Sequence, residues 1–399
     1  MTVLCLASYF KGESFLKAAK AEGNRVLLVT AQNLAQKPWP HESIDQIFYV
    51  PDETDDWNLE NLAKGVAYLM QTEKIDSIVA LDDFDVEKGA FLREQFRIKG
   101  MGQTRARYFR DKLAMRKQAK DAGIPVPPFS ALFNNDEIND FVATTQPPFV
   151  LKPRSQASAT GIKKVHNGTE LWAEIHKLGD DRMNYLVEQF LPGAVYHVDS
   201  INYEGKIAFA RASQYLAPPM EVAHEGGIFR SVTVQHGSKD DKLLLEANKN
   251  VMQAFGMQYS AAHTEFIKAN SDGKFYFLET SSRVGGANLA EMVEASAGIN
   301  LWAEWAKVEC LPVGAAYKLP KIQKKYSGII VSLARQQQPD TAQFCDAEIV
   351  WRMTQNEYHI GLIVQADTQT KVIELLDDYA MRIKNEYHAS APAPDKPSH

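Results

Sequence analysis

The sequence predicts a mixed chain, α/β at its start, α+β through its middle and α/β again at its end. Three observations carry that prediction. The first hundred residues alternate apolar runs with amphipathic stretches: TVLCLAS, FLKAAKAEG, RVLLVTA, IDQIFYV, a helical pattern from about Leu59 to Thr72, and DSIVALDD. Strands alternating with helices make a parallel sheet with right-handed crossovers. In the middle, Tyr185 to Leu216 reads as three strands joined at Pro192-Gly193 and at Tyr203 to Lys206. HTEFIK and KFYFLETSSRVGG then flank the turn-like ANSDGK, the pattern of an antiparallel hairpin. From about Leu311, IIVSLA, AEIVWRM and HIGLIVQA precede a helix through VIELLDDYAMRI.

The remaining elements follow in order. Thr104 to Lys120 reads as one basic helix, stopped by Gly123 and by Pro125, Pro127 and Pro128. PPFVLKPRSQASATGIKKV gives a strand, a loop of small residues and a second strand. Helices are expected around Glu170 to Lys177, over LLLEANKNVMQAFGM and from about Leu289 to Val308, and no internal repeat is present. The tail ASAPAPDKPSH has no apolar face and is expected to be disordered. These breaks divide the chain at 1–105, 106–190, 191–310, 311–388 and 389–399.

With 399 residues, 45% of them hydrophobic, the chain can bury the cores of two or three domains. A formal net charge of −6 gives no electrostatic reason for nucleic acid or an anionic membrane as a partner. No run approaches a membrane span, and MTVLCLASYF lacks the basic start of a signal peptide. Cys5, Cys310 and Cys345 form no CxxC pair, so a reducing, cytoplasmic setting is expected. Small molecules are the expected partners, and a homodimer is compatible with the composition.

Glu265 and Glu279 are the leading candidate site. If Ser271, Asp272 and Gly273 make the turn, the two acids come close, and adjacent carboxylates need a metal or a basic residue to stay charged. Oxygen ligands suit Mg2+, which completes its shell with water and nucleotide phosphates. The alternative is that both face solvent at strand ends. Lys152 ends a strand and leads into Ser155 to Gly161, small residues whose backbone N–H groups can approach phosphate oxygens; otherwise it is a surface lysine. No GxGxxG follows the first strand, where Ala7, Ser8 and Tyr9 stand. Asp82, Asp83 and Asp85 follow a strand end, where open α/β sheets place ligand-binding loops, but a solvated acidic loop is the leading reading.

Taken in order, Lys112 in FRDKLAMR, Lys152 in FVLKP, the small-residue loop, VEQFLPG, Glu265 and the Glu279-x-Ser281-x-Arg283 run resemble the ATP-grasp superfamily over roughly Arg107 to Lys307. Within it they are similar to the biotin-carboxylase-like branch that includes the L-amino-acid ligases. The resemblance implies a pre-ATP-grasp α/β domain, an ATP-grasp fold and a C-terminal α/β extension. It assigns ATP as cosubstrate and Mg2+, or Mn2+ in its place, to Glu265, Glu279 and Ser281. Lys112 and Lys152 fall to the phosphates, Glu188 with the backbone of Phe190 and Leu191 to adenine, and His197 near ribose or substrate. His197 as a hydrogen-bonded strand histidine is the equal alternative. Arg283 matches the arginine that stabilises the transferred phosphoryl group. Ser281 departs from the family, which usually has Asn there, and leaves the metal count open.

The chemistry implied is activation of a carboxylate as an acyl phosphate, followed by attack of an amine, with positioning and charge neutralisation supplied by the protein. No Ser-His-Asp or Cys-His constellation is evident. Acceptor choice is expected in PPMEVAHEGGIFRS, where Glu221 or His224 can meet an incoming ammonium, although the same residues suit a solvated loop. Gly285 and Gly286 either offer N–H groups to a substrate carboxylate or begin a helix. The leading reading is a carboxylate–amine ligase for amino-acid-like substrates. The alternatives are a biotin-carboxylase-like or other ATP-grasp ligase with a different acceptor, and a nucleotide-binding regulator that no longer catalyses.

Overall fold

Val3 to Ala7 are fully buried, as expected of a parallel strand with both faces covered. In the computed structural model, which describes residues 1–390 except 52–56, 157–159, 221, 223–225 and 313, this run is β1 (Thr2–Ala7). It pairs in parallel with β2 (Arg25–Ala31) and β4 (Ser77–Ala80), and β3 (Gln46–Val50) lies outside β2. The order β3-β2-β1-β4 reverses direction between β1 and β4, so the loops leaving these two strands open a crevice at their carboxyl ends. Helices α1 (Glu13–Ala21), α2 (Leu59–Leu69) and α3 (Val86–Phe96) follow β1, β3 and β4, and α3 had no counterpart in the sequence reading. Of the expected tail 389–399, residues 391–399 lie outside the described residues, whereas Ala389 N donates to Leu333 O at 3.1 Å.

Two expected helices are broken. The basic stretch is α4 (Gln103–Ala106), a short 3-10 turn and α5 (Lys112–Asp121), not one helix. Asp111 ends the first part because its carboxylate accepts from Leu113 N at 2.9 Å and Ala114 N at 3.4 Å, the geometry of an N-cap. It also holds Arg154 from the next sheet. The helix expected over Leu289 to Val308 divides into α9 (Leu289–Ala297) and α10 (Leu301–Cys310) at Gly298, whose φ of 68° is left-handed. The break turns α10 back onto the N-terminal sheet, where Trp305 meets Phe15 edge-on at 5.0 Å. Leu301, Ala306 and Val308 join the same core.

A second sheet has the antiparallel order β5-β8-β6-β7, from β5 (Phe129–Ala131), β6 (Phe149–Pro153), β7 (Lys163–Val165) and β8 (Tyr185–Gln189). α6 (Asn135–Thr144) and α7 (Gly168–Leu178) pack on it through Ile138, Phe141, Leu171 and Ile175. The third sheet has eight strands. β9 (Gly193–Tyr203), β10 (Lys206–Tyr215) and β11 (Phe229–Thr233) lie at its centre, with the hairpin of β12 (Ser260–Ala269) and β13 (Phe275–Ser281) at one edge. α8 (Lys239–Ala254) buries Leu244, Val251 and Met252 beneath it. β14 (Tyr326–Leu333), β15 (Ile349–Arg352) and β16 (His359–Ala366) extend this same sheet, so the C-terminal segment adds strands and not a sheet of its own. α11 (Gln369–Glu386) covers them. No helix among the described residues is long and apolar enough to cross a membrane.

Replacing Asp111 by Ala removes both a helix cap and the partner of Arg154. It should lower the free energy of unfolding by about 1–3 kcal/mol in a urea titration. A change within error would show that the helix break does not depend on Asp111.

Candidate functional site

Side chains two apart on a strand share a face, and directly paired residues on neighbouring strands share it too. β12 and β13 place Glu265 directly opposite Glu279, with a bulge immediately after Glu265. The connecting turn includes Gly273 at φ 68° and is held by Asp272, which accepts from Lys274 N at 3.0 Å. On its other side β12 pairs Glu265 with His197 and His263 with Asp199 of β9. One face of the large sheet therefore collects Glu279, Glu265, His263, His197 and Asp199, while Phe266 and Phe277 point into the core below.

A cavity of about 760 Å³ lies over this face, between the two antiparallel sheets. Lys112, Lys152, Glu188, Phe190, Leu191, Glu265, Glu279, Ser281 and Arg283 all border it. Capping by Asp111 makes Lys112 the first residue of α5, and its Nζ lies 3.0 Å from Glu279 Oε2 and donates to Gln156 O at 2.7 Å. Lys152 on β6 sits 2.7 Å from Glu188 Oε2, and Arg116 Nε 2.5 Å from the other oxygen. Burial pushes the Glu188 carboxyl up, but the charges of Arg116 and Lys152 outweigh it and hold the group below the ordinary range. Glu188 thus anchors two cations with a buried side chain and borders the same cavity as Phe190 and Leu191. Leu278 and Ile267 give the cavity an apolar wall near the Phe190–Leu191 segment.

Glu265 accepts from the Tyr215 hydroxyl at 2.8 Å, and His263 Nε2 lies 3.5 Å from the same oxygen. Burial raises the Glu265 carboxyl, and the bonds from His263 and Tyr215 bring it net below its usual value. Burial depresses the His263 imidazole, whereas the carboxylate of Asp199 lifts it to about 10. The donor set of Glu265, Glu279 and Ser281 is oxygen only, which fits Mg2+ or Mn2+ and not a soft metal.

Some expectations need correction. His197 is fully buried, with Nδ1 2.7 Å from Asp199 and Nε2 2.7 Å from Ser231, so both its nitrogens have partners and it does not border the cavity. Ser155 is exposed and does not border the cavity. Glu221 and His224 lie outside the described residues; their neighbours Met220 and Val222 border the cavity. The acidic loop is not solvated: Asp82, Asp83 and Asp85 are 1%, 6% and 0% exposed. Asp82 pairs with Lys11 at 2.5 Å, and Asp83 takes Arg283 Nε at 2.8 Å. The sequence reading passed over Arg116, Asp199, Tyr215 and His263. The two-residue spacing in YHVDS and HTE was the signal for the acids and histidines, since it puts each pair on one face.

No family model matches the chain. It is 27% identical over 268 residues to an L-arginine-specific L-amino acid ligase of Bacillus subtilis, covering 65% of this chain and 62% of that one. The chain spans about three fifths of the length of the curated relatives it first matches. Its fold is similar to the crystal structure of an L-amino acid ligase from Bacillus licheniformis, with a TM-score of 0.77 at 15% identity over 97% of this chain and 98% of that one. It is also similar to the biotin carboxylase domain of the Hydrogenobacter thermophilus 2-oxoglutarate carboxylase, solved as a dimer with MgADP and bicarbonate. There the TM-score is 0.71 at 16% identity, over 98% of this chain and 90% of that one.

Burial raises the Asp83 carboxyl, and Arg283 outweighs burial to bring it to about 2 from an ordinary 3.8. A lowered folded value means that the pair stabilises the fold fully above about pH 4 and less as the pH falls towards 2. Asp83→Asn should therefore cost at least about 2 kcal/mol at neutral pH. Its stability should also fall less steeply than the wild type's between about pH 4 and 3 in urea titrations. Equal slopes would show that this ion pair does not set the acid response.

Proposed function

We propose that this chain is an ATP-grasp enzyme, an ADP-forming carbon–nitrogen ligase that joins a carboxylic acid to an amine through an acyl phosphate, a reading supported by its likeness to amino acid ligases. The observation that carries this reading is the placement of two opposed acids, two lysines and Arg283 around one cavity. A donor carboxylate oxygen attacks the γ-phosphorus of ATP, the bond to the β-bridging oxygen breaks, and ADP leaves. The amine nitrogen then attacks the acyl carbon, inorganic phosphate departs with the C–O bonding electrons, and the nitrogen loses a proton. Oxide is too poor a leaving group for direct amide formation, which is why the phosphoryl transfer is needed.

The residues do this by position and charge. Lys152, held against Glu188, and Lys112 at the start of α5 lie along the path of the phosphates. Glu265, Glu279 and Ser281 would hold Mg2+, which would supply neutralisation of phosphate charge. In this proposal Arg283, its Nε side held by Asp83, brings a guanidinium charge to the oxygens of the group in transfer. The substrates in this proposal are amino-acid-like. The similarity to an arginine-specific amino acid ligase supports that class.

Hydroxylamine added with ATP and the correct acid should trap a hydroxamate, and Arg283→Lys should lower kcat at least about tenfold with the ATP dissociation constant changed only a few-fold. No hydroxamate across a broad panel of amino and carboxylic acids, together with full activity in Arg283→Lys, would reject the mechanism. Lys152→Ala should weaken ATP binding roughly ten- to a hundredfold by isothermal titration. Unchanged binding would remove Lys152 from the phosphate site.

A further inference from the structure

Beneath the cavity floor a chain of hydrogen bonds runs from Ser231 to Glu265. Ser231 Oγ and His197 Nε2 are 2.7 Å apart, and His197 Nδ1 lies 2.7 Å from Asp199 Oδ2. His263 Nδ1 lies 2.8 Å from the other oxygen, Asp199 Oδ1. His263 Nε2 is 3.3 Å from the Tyr215 hydroxyl, which is 2.8 Å from Glu265 Oε1. His197, Asp199 and His263 are at least nine-tenths buried, so each polar atom in the chain depends on its neighbour for a partner.

Proton counting gives the cavity end of this chain one direction. Asp199 only accepts, so both histidines donate to it from Nδ1. His197 Nε2 faces Ser231 Oγ, which also donates to Gln214 O at 3.2 Å. Tyr215 has one proton, and the short contact to Glu265 claims it, so Tyr215 oxygen accepts from His263 Nε2–H. The last bond lands on Glu265 Oε1 and leaves Oε2 out of the chain, on a residue that borders the cavity. A second feature guards the middle of the chain: a methyl group at Gly285 would lie 2.9 Å from both Asp199 Oδ1 and His263 Nδ1, pressed against the side of their hydrogen bond. Gly285 has no left-handed φ, so the need for glycine there comes from that close approach.

We propose that Asp199, His263 and Tyr215 are positioning residues that fix the rotamer of Glu265, turning one of its oxygens towards the cation bound with the nucleotide. Gly285 keeps the chain unbroken. This rests on the reading of Glu265 as a metal ligand. Groups that orient a ligand from behind commonly change metal affinity by about ten- to a hundredfold when removed.

The test measures ADP binding by isothermal titration with and without Mg2+, in wild type, Tyr215→Phe, Gly285→Ala and Asp199→Asn. The ratio of the two dissociation constants is the gain due to the metal. In Tyr215→Phe and Gly285→Ala that gain should fall about tenfold, while metal-free ADP binds within twofold of wild type, an outcome that general loosening of the fold does not produce. Asp199→Asn should lose at least as much where it folds; Tyr215→Phe decides the question whether it folds or not. A wild-type gain retained in Tyr215→Phe and Gly285→Ala overturns the positioning role. Absence of any gain in the wild type itself would instead reject Glu265 as a ligand.

Discussion

Two carboxylates held opposite each other on paired strands repel, and the surroundings of Glu265 and Glu279 are arranged around that repulsion. Each acid is compensated from a different direction. Glu279 meets Lys112, carried by a helix whose first turn is set by Asp111, and Glu265 is met from below by Tyr215 and His263. Neither compensation neutralises both acids at once. A divalent cation would, and this residual charge is the physical reason to place one there.

The same logic repeats at the second sheet. Glu188 is buried with Arg116 on one oxygen and Lys152 on the other, and Arg116 also donates to the carbonyl of Leu278 on β13. A buried ion pair contributes little net stability, because desolvation offsets its attraction. It does fix relative placement: α5, β6 and β13 meet at this cluster, and with them the lysine and the acid hairpin on opposite walls of the cavity. Position, not stability, is what this arrangement secures.

Local pattern made much of this readable. Proximity of Glu265 and Glu279 followed from the turn residues and the alternation on either side, but their direct pairing did not, because the bulge after Glu265 sets a register the sequence does not spell out. The parallel N-terminal sheet followed from strand and helix alternation. What stayed hidden depended on partners far away in sequence. Asp83 looks like any loop acid until Arg283, 200 residues on, closes over it. His197 looks like a ligand contact until Ser231 and Asp199 occupy both its nitrogens. The break at Asp111 was written locally, as a capping residue, but the surrounding basic helical pattern outweighed it in the reading.

Trp305 and its neighbours on α10 finish a core that begins with β1 and α1. During synthesis the ribosome delivers the N-terminal sheet early, yet its hydrophobic face stays uncovered until residues beyond 301 have emerged. The first hundred residues are therefore a poor independent unit. A gene fragment that stops before α10 would present Phe15 and its surroundings to solvent, and chaperone demand or aggregation would follow from that exposed face. The order in which the chain is made and the order in which its first core closes are decoupled by about three-quarters of its length.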